Sequence, residues 1–441
     1  MLYGLEVRFI VRSLLRSKTY TIFSVLTLGG AIGATAAIFS ILDAMLLRRL
    51  PYEDPDRIVM VWLKNDAQGY LEDVTSYPSY VDFRDSNDTL AALAAYNLQT
   101  YHLTGGGEPE RLVGANVSPN FFPMLGVAPE LGDYLSAETD FVFPDHRIVL
   151  SHALWQRRFG GRGSVVGERI LLDGTPFIVV GVMPASFRIP EFQDFWTPLA
   201  LQEDARTARH AFWLFTIGRL KRNVEIEEAR ADLEVVMRRI EREFFGSEGR
   251  MGVVVNRLHD QWVRDIRGGL VLLGAGVASL WLLACTNLAG IGLARGAARD
   301  DEIALRRTLG ASGRRIVETL VGEGMLVGAL AIPFALLLAT VLTNAFVATA
   351  PAGPAGVPEP SVEPGTWVFA ACLSVVSGVL LSLAPAIHAS SRELYAQLRR
   401  GSGLRASGGS RQRSRRVLVV SEIALALVVL TGSMLLVRSF Q

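Results

Sequence analysis

The chain has 441 residues, of which 50% are hydrophobic and 20% charged, and 44 Lys and Arg stand against 43 Asp and Glu for a net charge of +1. That balance excludes a disordered chain, which would be polar and highly charged, and a nucleic-acid binder, which would be strongly basic. The mean hydropathy of +0.30 is an average over two populations, because the apolar residues gather into runs of membrane-spanning length.

In chain order, residues 1–18 predict a basic amphipathic helix carrying Arg8, Arg12, Arg16 and Lys18. The first span covers 19–47, and it is free of charge from Thr19 to Leu42. It is too long for a signal-peptide core and reads as a retained anchor. Small residues at Gly29, Gly33 and Ala37 form a stripe that lets another helix approach closely, either within the chain or at a dimer seam. Asp43 lies near the end of the span, beside Arg48 and Arg49.

Residues 48–267 hold no membrane-length run and predict a mixed α+β domain, divisible by size into two subdomains. Ile58 to Trp62 and Arg147 to Leu150 read as strands, Ala153 to Phe159 as a helix ending at Gly160-Gly161. The end of the 76–95 segment reads as helical. Asp173-Gly174 between two β-rich runs predicts a hairpin. Phe212 to Leu220 predicts a strand, followed by an amphipathic helix with Ala229, Leu233, Val236, Met237, Ile240 and Phe244 on one face and Gly246 at its end. Met251 to Asn256 predicts the last strand of the domain.

The second span covers 268–294, with Gly274 and Ala278 as a second small pair. A basic segment, 295–323, leads to the third span at 324–347. Glu318 and Glu323 sit at its entry, and Glu318 stands four residues after Arg314, the spacing of a helix pair. A short loop, 348–365, has no Lys or Arg and is followed by the fourth span at 366–391. A Gly-, Ser- and Arg-rich linker, 392–416, precedes a fifth span at 417–437, which carries Glu422. The predicted fold is therefore an α-helical transmembrane protein of five spans, with a large α+β extracytoplasmic domain inserted between spans one and two. Arginines concentrate in 1–18, 295–323 and 392–416, which places those segments and the N-terminus in the cytoplasm and residues 48–267 outside. Both cysteines, Cys285 and Cys372, fall in spans, so the outer domain folds without disulfides.

Chemical motifs are absent. No G-x-x-x-x-G-K-[ST], H-E-x-x-H, C-x-x-C or G-x-S-x-G string occurs, and the six histidines lack metal-ligand spacing. No catalytic, cofactor or metal residues are assigned on this chain, and an extracytoplasmic enzyme on an anchor is disfavoured.

The stretch Ala294 to Val317 contains Glu302-Ile303-Ala304-Leu305-Arg306-Arg307-Thr308-Leu309-Gly310-Ala311-Ser312. Glu302 is spaced to support Arg306, Ile303, Leu305 and Leu309 offer apolar contacts, and Gly310 ends the helix. Positive-inside charge alone accounts for the arginines as an ordinary loop at lipid headgroups, but not for this order of residues, which suits docking into a groove of another protein. The stretch resembles the signature of MacB/FtsX-type ABC transporter permeases. Further strings resemble the duplicated MacB-like permeases best known from acidobacteria: Val117-Ser118-Pro119-Asn120-Phe121-Phe122, Leu154-Trp155-Gln156-Arg157-Arg158-Phe159-Gly160-Gly161 and Val180-Gly181-Val182-Met183-Pro184. The resemblance implies a MacB-like periplasmic core domain at 48–267 and an inner-membrane location. It also implies a coupling helix, carried by Glu302, Ile303, Ala304, Leu305, Arg306, Arg307, Leu309 and Gly310, that meets a separate ABC ATP-binding subunit. ATP would be bound by that partner and by nothing on this chain.

Span five resembles the opening of a second repeat, and the chain stops at Gln441 where a second outer domain would begin. The expectation is a fragment of a duplicated permease, with a natural five-span protein as the alternative. The expected partners are the ATP-binding subunit, the lipid bilayer, and either a second copy or the missing second half. The functional expectation is the permease subunit of an export or mechanotransmission system. The alternative is a non-transporting scaffold or signalling protein that recruits or regulates an extracytoplasmic enzyme or a sensor kinase.

Overall fold

The computed structural model describes residues 10–66, 69–105, 108–135, 146–190, 193–199, 203–246, 251–297, 313–349 and 360–390, with isolated positions between 416 and 434. These residues divide into two compact units, one formed by Arg49–Asp265 and the other by the chain up to Arg48 and from Ile266 onward.

In the second of these units, residues 10–16 are helical, Ser17 makes a turn, and α1 runs over Lys18–Leu42. The turn is closed from both sides: the Ser17 N–H donates to the Leu14 carbonyl, and so does the Thr21 hydroxyl at 2.9 Å. A π-turn, Asp43–Leu47, follows α1. Three more long helices complete the unit: α7 (Leu258–Ala297) from Ile266 onward, α8 (Gly313–Thr349) and α9 (Pro364–Ser390). Among the described residues four helices are long and apolar enough to cross a membrane: Lys18–Leu47, Ile266–Arg295, Val317–Thr349 and Pro364–Ser382. The candidate span on α8 starts at Val317, ahead of the predicted 324–347, and Glu318 and Glu323 lie within the helix near that end. Of the predicted fifth span, 417–437, nine scattered positions between 419 and 434 are described, all of them helical, and the others lie outside the described residues.

The other unit is an α+β fold. Among its described residues eleven strands join one sheet: β1 (Ile58–Asn65), β2 (Tyr70–Asp73), β3 (Leu90–Thr104), β4 (Glu110–Val117), β5 (Leu131–Gly132), β6 (Arg147–Leu150), β7 (Arg169–Leu172), β8 (Thr175–Val182), β9 (Phe195–Pro198), β10 (Phe215–Leu220) and β11 (Met251–Arg257). The order is β11-β1-β10-β3-β4-β9-β6-β8-β5, with β2 on β1 and β7 bridging β3 and β8. Strand alternation explains the three cores of this unit. Val59, Val61 and Leu63 face one side of β1, where α2 (Tyr77–Ser86) and α6 (Ile226–Ile240) cover them with Tyr80, Phe83, Leu233 and Met237. Ile58 and Met60 face the other side, toward Tyr96, Phe121, Phe122 and Trp196. Because both faces are covered, Ile58-Val59-Met60-Val61 reads as an unbroken apolar run. The third core gathers Leu103, Leu112, Leu150, Trp155, Phe177 and Phe195 around α4 (His152–Phe159).

The Asp173-Gly174 hairpin forms as the sequence predicts, with both residues at positive φ, 47° and 79°. Helix α6 also forms, but Phe244 leaves the predicted apolar face: it is exposed, with the Arg209 guanidinium 3.6 Å above its ring. The 76–95 segment corrects the expectation. Its helix is at the start, and its end is the strand β3. The Asn87 side chain stops α2 by donating to the Phe83 carbonyl and accepting from the Leu90 N–H. Asp232 then takes the Asp88 and Thr89 N–H groups, and the small Ala94 and Ala95 fit a sheet buried on both faces. Tertiary packing overrides the helical propensity of the Leu-Ala run.

Glu72 on β2 accepts from Asn256 and Gln261, each at 2.9 Å, and pairs with Arg264. Burial pushes its carboxyl pKa up, but the hydrogen bonds from Gln261 and Arg264, Arg264's charge and the Asn256 bond outweigh it, leaving the group below its ordinary value of 4.5. A depressed carboxyl stabilises the fold above its unfolded pKa and loses that contribution as pH falls through the folded one. In thermal unfolding of the full chain, E72Q is expected to lower stability by about 1 kcal/mol at pH 7. The gap should close as the pH is taken down from 4.5. A gap that persists unchanged in acid contradicts this role.

Candidate functional site

The predicted coupling residues, Glu302, Ile303, Ala304, Leu305, Arg306, Arg307, Leu309 and Gly310, lie outside the described residues, as does Glu422. The described structure shows both flanks of that segment, and the two flanks converge on one short N-terminal stretch. From the α8 side, Glu323 accepts a hydrogen bond from the Ser13 hydroxyl at 2.6 Å, with both residues 9% exposed. From the α7 side, Arg295 donates to the Ser13 carbonyl at 3.3 Å, and its guanidinium lies 4.4 Å over the Tyr20 ring. Gly322 gives room for Ile10, whose side chain would lie 2.7 Å from a Cβ placed there. A carboxylate this buried is costly without a donor, and Ser13 supplies one.

Along the bundle, the contacts are made through small residues. Gly29 and Gly33 of α1 face α8: a Cβ on Gly29 would meet Phe334 at 2.8 Å, and one on Gly33 would meet the Ala335 carbonyl at 2.7 Å. Ala37, the third member of the stripe, is 2% exposed. On α7, Gly274 faces Leu42 at 3.0 Å and Ala278 is half-buried. The tightest approach involves residues outside the two stripes that the sequence predicts. Gly324 and Gly328 of α8 lie against Ser374, Gly378 and Ser382 of α9, and a Cβ on Gly324 would collide with the Ser382 hydroxyl and the Gly378 carbonyl. Four-residue spacing on both helices is the signal that could have found them; it is obscured on α9 because two of the three small residues are serines.

Polar bonds add to these contacts. The hydroxyls of Ser40 and Thr366 lie 2.9 Å apart, and the Trp281 indole donates to Ser377 at 2.9 Å. At the Asp43 end of α1, Arg48 pairs with Asp43 at 2.9 Å and with Glu363 at 2.7 Å, tying α1 to the residue ahead of α9. Arg49 instead lies 4.0 Å from Asp56. Among the described residues no group of three or more His, Cys, Asp and Glu is placed to hold a metal ion. Ser13, Arg295 and Glu323, with the small-residue contacts, hold the described helices against one another.

Gly30, unlike Gly324, has nothing within 4 Å of the position a Cβ would take. G324A is therefore expected to lower the stability of the full chain in detergent by roughly 1–3 kcal/mol, and G30A to leave it unchanged. Equal effects in a thermal-unfolding comparison contradict the close approach of α8 and α9.

Residues 21–236 match the family described as the MacB-like periplasmic core domain, and residues 274–394 match the FtsX-like permease C-terminal family. Comparison with curated proteins gives no match. Among solved structures the chain is similar to a domain of a permease protein from Porphyromonas gingivalis, at 15% identity and a TM-score of 0.38, covering 47% of this chain and 93% of that one. It is also similar to the periplasmic region of MacB from Actinobacillus actinomycetemcomitans, at 13% identity and a TM-score of 0.36, covering 48% of this chain and 92% of that one. A third is the extracellular domain of the noncanonic ABC-type transporter YknZ from Gram-positive bacteria, at 11% identity and a TM-score of 0.34, covering 45% and 99%. With a MacB-like core domain joined to an FtsX-like permease region, on a chain with helices that can span a membrane, this protein belongs to the MacB/FtsX type of multi-pass membrane permease.

Proposed function

We propose that this chain is the membrane subunit of an ABC-type export or mechanotransmission system, driven by a separate ATPase that docks on residues 300–311. Permeases of the MacB/FtsX type generally work with an ABC ATPase partner. In this reading the N-terminus and the 295–323 segment are cytoplasmic, residues 48–267 lie outside the inner membrane, and ATP is bound by the partner. Val417 to Val437 forms a fifth span, and a second copy or a second half of the same type completes the assembly.

The observation that carries the reading is the convergence on Ser13. Arg295 lies in the last turn of one helix and Glu323 early in the next, and both hold the same serine. A force applied to the segment between them therefore acts on α7, α8 and the N-terminal stretch leading into α1 together. Small-residue contacts then carry the motion from α8 to α1 and α9 without loose side chains between the backbones. The substrate would be handled on the outer side by the α+β unit and not drawn through a central pore.

The full chain is expected to co-purify with its ATPase. The double variant E302K/R306E is expected to reduce that capture about tenfold, equivalent to roughly 1.4 kcal/mol, while thermal unfolding stays unchanged. Undiminished capture by the folded double variant contradicts docking at this segment.

A further inference from the structure

A basic groove beside the N-terminal turn shares Arg295 with the Ser13 junction and is otherwise built from residues outside it. It has a volume of about 640 Å³ and is walled by Arg16, Lys18, Tyr20 and Arg295 together with Leu15 and Ile291. Among the described residues its wall contains no acidic side chain. Arg295 is held in place by Ser13 and Tyr20, whereas Arg16 and Lys18 are exposed. Leu15 and Ile291 are also open to the surroundings, 61% and 38% exposed.

The depth of the groove decides what it meets. One candidate span begins at Lys18 and another ends at Arg295, so the cations cluster where two apolar helices leave the hydrocarbon. Tyr20 places an aromatic ring at the same level, as side chains with an apolar body and a polar tip do at a membrane interface. Leu15 and Ile291 add an apolar wall next to the charges. A free inorganic anion would use the cations and leave that wall unused. A phospholipid uses both, its phosphate between the cations and its acyl chain along the leucine and isoleucine. Basic pockets between membrane helices bind anionic headgroups in this way, and an arginine fork can grip two phosphate oxygens at once.

We propose that this groove is a binding site for the phosphate of an anionic phospholipid, held by Arg16, Lys18 and Arg295. The inference rests on the four helices spanning a membrane and is independent of any ATPase. The lipid would sit against the same arginine that holds Ser13, so its occupancy would steady one flank of the 298–312 segment.

The test uses the full chain purified in mild detergent, with bound lipid measured by native mass spectrometry. Dioleoyl phosphatidylglycerol is expected to be retained about tenfold more tightly than dioleoyl phosphatidylcholine. R16Q/K18Q should remove that preference, since each interfacial cation contributes on the order of a several-fold change. R16K should keep it, and R222Q/R238Q, which removes two exposed cations of the α+β unit, should leave it intact. Equal retention of the two lipids overturns the proposal, as does an undiminished preference in R16Q/K18Q. Displacement of phosphatidylglycerol by millimolar inorganic phosphate overturns it as well, by assigning the groove to the free anion. Because Arg16 and Lys18 are exposed, the double variant is expected to fold, and an unchanged thermal midpoint verifies that.

Discussion

Helices in lipid gain little by hiding apolar side chains from one another, so this bundle depends on how closely its backbones approach. Gly324 and Gly378 bring α8 and α9 into backbone contact, and Gly33 brings α1 against the Ala335 carbonyl. On α8 the buried residues facing inward include Ala331, Ala335 and Ala339, each without exposure. Helices that meet at small residues have few rotamers with which to absorb a displacement. Stiffness of this kind is what a protein needs if a push at one end is to reach the other.

The α+β unit solves a different problem, because water is its solvent and burial of apolar area is its main support. Its long strand β3 pairs with β10 over its first half and with β4 and β7 over its second. One strand thereby takes part in all three cores, from Leu93 through Tyr96 to Leu103. The two-subdomain division suggested by length is replaced by a continuous sheet with three cores distributed along it.

Local features were legible in the sequence where local chemistry decides the conformation. Asp173-Gly174 needs positive φ and so declares a turn, and α6 carries its apolar stripe with acids in its first turn and arginines in its last. The Leu90 to Tyr96 strand was hidden because its Leu-Ala composition favours helix, while Asp232, more than 140 residues on, holds the preceding backbone in another path. The Ser13–Glu323 bond spans 310 positions and joins two ordinary residue types, so no local pattern announces it. The family and the membrane helices were readable because both are written in contiguous stretches. The junction at their base required the fold.

That junction unites the membrane and coupling arguments, since it places Ser13 between Arg295 and Glu323 on either side of the 298–312 segment. The most direct measurement is hydrogen exchange on the chain together with the proposed ATPase partner, with and without ATP, in the native protein and in S13A. Coupling through Ser13 predicts that ATP alters exchange at residues 10–17 and 313–323 in the native protein, and that S13A, which loses the Glu323 bond but keeps the Arg295 bond to the backbone carbonyl, shows a weaker response at 10–17. The same response at residues 10–17 in both proteins, or no response to ATP in the native one, would contradict it.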